Sequence, residues 1–140
     1  MAAGTSSRFA PLSYETHKSL LTVRGEVLIE REIRQLQAAG IDDITVVVGY
    51  MKEKLFYLED RFHVKIVINE DYHRYNNPST LMLVRDRLKN TFICSSDNYF
   101  EQNPFEPYVY QAYYASLYSA GKTDEYCMVT NRKKSEAKRS

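Results

Sequence analysis

Four groups of residues in this chain have the types and spacing to do chemistry. The first is Ala2-Ala3-Gly4-Thr5-Ser6-Ser7-Arg8, continued by Pro11-Leu12 and Lys18. Small residues let a backbone approach a phosphate chain closely, exposed N–H groups can cradle its oxygens, and Arg8 and Lys18 supply compensating charge. By composition alone the same stretch also reads as a solvated turn. The second group is Asp97, a carboxylate closing an apolar run, where oxygen ligands could hold a hard cation such as Mg²⁺. An Asx turn within Ser95-Ser96-Asp97-Asn98 is the other reading. The third is Asn76 and Asn77 with Ser79, whose amides can donate to and accept from a nucleobase edge, or can serve turn chemistry before Pro78. The fourth is Tyr110, Tyr113, Tyr114, Tyr118 and Tyr126. Their faces suit a quaternary ammonium through cation–π attraction, and equally suit ordinary packing.

The elements that must position these residues follow from apolar spacing. Leu28, Ile29, Ile33 and Leu36 predict an amphipathic helix stopped at Gly40, followed by the buried strand 44–48, ITVVV. Met51, Leu55, Leu58 and Phe62 predict a second helix, and VKIVI over 64–68 a second strand. TLMLVRDRL then reads as a third helix and TFICS as a third strand. Alternating strands and helices imply crossover connections and a mainly parallel sheet, an α/β fold. Such sheets bind ligands outside the carboxyl ends of their strands, so the loop 4–12, the segment 69–79 and the turn 95–98 are expected to converge. Beyond Asp97, PYVYQAYYASLYS and EYCMVT read as a tyrosine-rich β segment. Residues 131–140 are polar and basic and read as a disordered tail after one domain over 1–130.

Composition removes other classes. Nineteen basic against eighteen acidic residues leave a net charge of +1, so no overall field favours nucleic acid or an anionic membrane, and neither is expected as a partner. Cys94 and Cys127 are far apart and read as buried free thiols in a reducing, cytoplasmic compartment. No apolar run approaches the length of a membrane span, and Met1 is followed by a turn-like segment instead of a signal peptide. His17, His63 and His73 lack metal-ligand spacing and carry no functional reading.

The order of residues in AAGTSSRFAPLS, followed by Lys18 and Leu20, resembles the N-terminal signature of nucleotidyltransferases that activate sugar phosphates and phosphocholine. The resemblance continues through GEVLIEREIRQL, AGIDDITVVVGY, Tyr75-Asn76-Asn77 and Asp97-Asn98, covers Met1 to about Val129, and is strongest toward the CTP:phosphocholine cytidylyltransferases. It implies a Rossmann-like sheet with flanking helices, of the nucleotide-diphospho-sugar transferase type. It also implies CTP and phosphocholine as substrates, CDP-choline and pyrophosphate as products, and Mg²⁺ as cofactor. Ala2, Ala3, Gly4, Thr5, Ser6, Ser7, Asn76 and Asn77 would then bind nucleotide, Arg8 and Lys18 would stabilise the triphosphate and leaving group, and Asp97 would hold the metal. Tyr113 and Tyr126 would face the choline group, Tyr126 standing where that branch carries an aromatic residue. The signature's second glycine is Ser6 here, and a proline usual before the lysine is His17. The resemblance further implies a full strand before Ala2, of which Met1 alone is present, and a second metal carboxylate from a later strand, for which Asp124 and Glu125 are no counterpart. The expectation is a chain incomplete at both ends and inactive by itself, with a sugar-1-phosphate nucleotidylyltransferase or a non-catalytic remnant as the alternatives.

Overall fold

The computed structural model describes residues 1–4, 10–74, 77–116, 128–131 and 134–139, with backbone alone for residues 77, 78, 128–131 and 134–139. The chain forms two compact units, Met1–Tyr108 and Val109–Ser140.

In the first unit a short hairpin pairs β1 (Thr22–Val23) with β2 (Glu26–Val27) antiparallel. Its two central residues, Arg24 and Gly25, both take positive φ, 51° and 82°, the geometry that lets a two-residue turn follow the strand twist. Helix α1 (Leu28–Ala38) follows directly and ends at Gly40, whose φ of 78° suits a residue without Cβ. Leu28, Ile29, Ile33 and Leu36 are buried as their spacing predicts. Glu30, Glu32 and Gln35 are buried as well, so α1 is enclosed on more than its apolar face. Glu30 is satisfied by Arg34, Arg61 and the Tyr57 hydroxyl, which keeps a buried carboxylate tolerable.

Strand β3 (Thr45–Val48) pairs parallel with β4 (Lys65–Ile68), Val46 opposite Ile66 and Val48 opposite Ile68. The crossover between them carries helix α2 (Tyr57–Phe62), and α1 and α2 pack with β3 around Ile29, Ile33, Val48, Leu55 and Leu58. Leu55 and Leu58 are fully buried, and truncating either to Ala would cost about 2 to 5 kcal/mol. Helix α3 (Asn77–Leu83) follows β4.

In this first unit three expectations change. The second helix is broken: Lys52–Leu55 is a 3-10 turn entered from Met51 at φ 52°, and only Tyr57–Phe62 is α-helical. The apolar period survives because Leu55, Leu58 and Phe62 still face the core. The third helix starts earlier than predicted, with Pro78 in its first turn, and gives way to a 3-10 turn at Arg85–Arg87. The stretch TFICS is not a strand. A ladder needs a neighbour along its length, and among the described residues this segment makes its sheet-like bonds with Met1, the amine donating to Cys94 O at 2.6 Å.

In the second unit residues 109–116 run without a strand, and β5 (Met128–Asn131) pairs antiparallel with β6 (Lys134–Arg139). The expected polar tail therefore contains a strand, since backbone pairing does not depend on apolar side chains. No helix among the described residues is long and apolar enough to cross a membrane.

Candidate functional site

The site is built where the first residues enter the sheet. The Ala2 amide donates to Val47 O at 2.8 Å, and Ala2 bridges Val48 in parallel. On the other side the Ser96 amide and hydroxyl both donate to Met1 O, at 3.3 and 2.8 Å. Met1 and Ala2 thus lie between β3 and the 94–96 segment, and the chain leaves them at the carboxyl end of β3. Ala2 has no amide to offer a phosphate, because its N–H serves the ladder and its carbonyl accepts from His17. Ala2 and Ala3 are both buried. Gly4 is exposed, and a Cβ built on it would meet nothing. Thr5, Ser6, Ser7 and Arg8 lie outside the described residues.

Lys18 opens a 3-10 turn, Lys18–Leu20, capped by His17. The His17 Nε2–H donates to Ala2 O at 3.1 Å while Nδ1 accepts the Ser19 amide at 3.2 Å. Both bonds hold together only in the neutral Nε2–H tautomer, and burial lowers the pKa of this imidazole below its usual value. Ser19 Oγ meets Ser96 Oγ at 2.6 Å, both side chains buried. His17, Ser19 and Ser96 therefore pin the residues on either side of Lys18 and Asp97. The consequence is an ion pair, Lys18 Nζ to Asp97 Oδ2 at 2.5 Å, joining residues 79 apart in sequence. His17, Ser19 and Ser96 have no sequence signal of their own, since their partners are distant.

The segment after Asp97 is held by α1. Arg31 donates to Phe100 O and Glu101 O at 2.9 and 2.8 Å, lies over the Tyr99 ring at 4.9 Å, and pairs with Glu26. Gln35 Nε2 donates to Phe100 O at 3.0 Å, and Asn103 Nδ2 donates to Gln35 O at 2.7 Å. Glu32 is buried with Oε1 unpartnered among the described residues, and burial pushes its pKa up to about 7, countered by the Met1 ammonium and reinforced by Asp97. Burial also pushes the Cys94 thiol up to about 11, so it is protonated and unreactive at neutral pH, while Cys127 lies outside the described residues.

Asn69, at the end of β4, braces the next segment: its Nδ2 donates to Ser79 Oγ and Thr80 Oγ1 at 3.1 Å, and its Oδ1 accepts from the Asp71 amide. A Cβ on Gly49 would lie 2.8 Å from Tyr72 Cβ and 3.0 Å from Ala3 O, so this glycine lets the 69–74 segment and Ala3 close on the end of β3. Residues flanking the 4–12 loop thus meet the other two polar segments, Lys18 at Asp97 and Ala3 near Tyr72 across Gly49, while residues 5–9 of the loop itself lie outside the described residues. Asn77 opens α3, its side chain and all of Asn76 lying outside the described residues. Tyr113 belongs to the second unit, and Tyr126 is outside the described residues.

Among the described residues no three His, Cys, Asp or Glu side chains cluster as a metal cage. Mg²⁺ ordinarily takes one or two carboxylates and completes its shell with phosphate oxygens and water, so the single carboxylate of Asp97 fits as one ligand.

Residues 1–137 match the MobA-like NTP transferase domain. The chain belongs to this NTP transferase family. Its relatives in the family include a choline-phosphate cytidylyltransferase of Streptococcus pneumoniae, 37% identical over 92% of this chain and 56% of that protein. A 2-aminoethylphosphonate cytidylyltransferase of Lancefieldella rimae is also 37% identical, over 90% of this chain and 53% of its own length. The solved structure of the CTP:phosphocholine cytidylyltransferase from Streptococcus pneumoniae superposes with a TM-score of 0.73 at 40% identity, covering 76% of this chain and 46% of that one. This NTP transferase chain spans about half the length of the curated relatives it matches. The Rossmann-like α/β fold expected from the sequence is the fold of that structure.

Proposed function

We propose that this chain carries the nucleotide-activating part of a cytidylyltransferase that transfers CMP from CTP to phosphocholine. A phosphate oxygen of the acceptor attacks the α-phosphorus of CTP, the bond to the bridging oxygen breaks, and pyrophosphate leaves with that electron pair. The attacking oxygen is already anionic, so no general base is needed, and the work is positioning and charge stabilisation. Lys18 and Arg8 would neutralise the triphosphate and the departing pyrophosphate. Asp97 would hold Mg²⁺, which when bound supplies charge neutralisation at the phosphates. Gly4 would admit the triphosphate to the backbone, and Asn76 and Asn77 would meet the base. The observation that supports the reading is the Lys18–Asp97 juxtaposition at the carboxyl end of a parallel sheet, a cation beside a carboxylate, the residue types that phosphate and a hard cation would call for.

The 37% identity to a 2-aminoethylphosphonate cytidylyltransferase supports a second acceptor with the same plan, an ammonium group joined to a phosphorus oxyanion. Calorimetric titration with CTP and UTP, then pyrophosphate release with phosphocholine, 2-aminoethylphosphonate and glucose 1-phosphate, separates the readings. CTP binding that is lost in Asp97→Asn, with turnover on phosphocholine, is the expected result. Turnover on the phosphonate alone moves the assignment to that acceptor, and failure to bind CTP removes it.

A further inference from the structure

We infer that Lys18 and Asp97 form an exchangeable latch, in which the Lys18 ammonium guards the metal-binding carboxylate until a triphosphate draws it away. The inference rests on the nucleotide reading of the site and adds an order of loading to it. Lys18 Nζ and Asp97 Oδ2 are 2.5 Å apart, so the ammonium sits where a cation on that oxygen would sit. The two side chains are 42% and 33% exposed, and an ion pair this open to water is weak enough to exchange.

The surroundings decide what moves. His17 and Ser19 fix the backbone on both sides of Lys18, Ser96 fixes the residue before Asp97, and Ser19 Oγ joins Ser96 Oγ at 2.6 Å. The two backbones therefore stay in register while the four-carbon lysine stem pivots. A free divalent cation approaching Asp97 meets an ammonium already paired there, and two cations crowded on one carboxylate repel. A nucleoside triphosphate removes the conflict by giving the ammonium its own oxyanions, leaving the carboxylate open to the cation that arrives with the nucleotide. Metal would thus be taken up with the nucleotide and excluded without it.

The test titrates Mn²⁺, read by electron paramagnetic resonance, into the wild-type chain and its variants with no nucleotide present. Lys18→Met is expected to bind Mn²⁺ about two- to fivefold more tightly than the wild type. Lys18→Arg, which keeps the charge, is expected to stay at the wild-type level, and Lys18→Met with Asp97→Asn is expected to lose the gain. Circular dichroism confirms that each variant folds, and Lys18→Gln serves as a second neutral replacement. Equal Mn²⁺ affinity in the wild type and the neutral variants overturns the latch, as does a gain that survives Asp97→Asn. A wild-type chain that fails to bind CTP overturns the nucleotide reading instead, and the nucleotide-free titration reads separately from that result.

Discussion

Two glycines in this chain have opposite surroundings, and the contrast separates ligand chemistry from packing. Gly49 cannot take a Cβ without displacing Tyr72 or the Ala3 carbonyl, whereas a Cβ on Gly4 meets nothing and no left-handed φ is required there. Gly4→Ala is therefore expected to leave the melting temperature unchanged and to weaken CTP binding about tenfold, because the added methyl intrudes only on a ligand. Unchanged CTP affinity would show that the triphosphate does not approach that backbone. Glu32 gives a pH-dependent prediction. Its pKa rises from 4.5 to about 7 in the folded chain, so between those values the unfolded chain gives up a proton that the folded chain keeps. Stability then falls as pH climbs through that window, by roughly 3 kcal/mol in all. Glu32→Gln cannot ionise and is expected to flatten the slope of unfolding free energy against pH between 5 and 8, measured by denaturant titration. A slope as steep as the wild type's would assign it to another group.

At the scale of elements, helix α1 packs the core and also grips the segment that follows Asp97. Arg31 and Gln35 converge on Phe100 O, so α1 fixes where the chain goes after leaving the carboxylate. Arg31→Ala is expected to weaken Mg²⁺-dependent CTP binding several-fold while CTP binding measured in EDTA changes little, because the carboxylate loses its aim and the phosphate loop does not. An equal loss in both conditions would mean that Arg31 supports the fold generally. Helix α1 and strand β3 were legible in the sequence because apolar period and a β-branched run report burial, and β4 because a β-branched run favours a strand even where, as here, its residues are only partly covered. The break in the second helix at Leu55–Phe56 was hidden, since a 3-10 turn and an α-helix can present the same residues to the core. The failure of 91–95 to form a strand was hidden for another reason, as strand character there depends on a neighbour and not on its own Thr91, Phe92 and Ile93. Lys18 and Asp97 were legible as candidates through motif order. Their contact was not, and neither were His17, Ser19, Ser96 and Arg31, whose roles exist only once distant segments meet.

For the whole molecule, the bonds that bring the site's segments together span long stretches of chain. His17 reaches back 15 residues to Ala2, Arg31 forward 69 to Phe100, Ser19 forward 77 to Ser96, and Met1 forward 93 to Cys94. The core contacts within α1, α2 and the β3–β4 crossover are local by comparison. Closing long loops costs entropy before any contact repays it, so the helices and the crossover can form first and the site must come last. The same ordering holds in reverse when the chain is stressed: a partly opened molecule can keep its helical signal and its β3–β4 pairing after the ends of its first unit have parted. Helicity is thus a poor gauge of competence in this protein, and a preparation that looks folded by far-ultraviolet dichroism can already have lost the place where its ligand would bind.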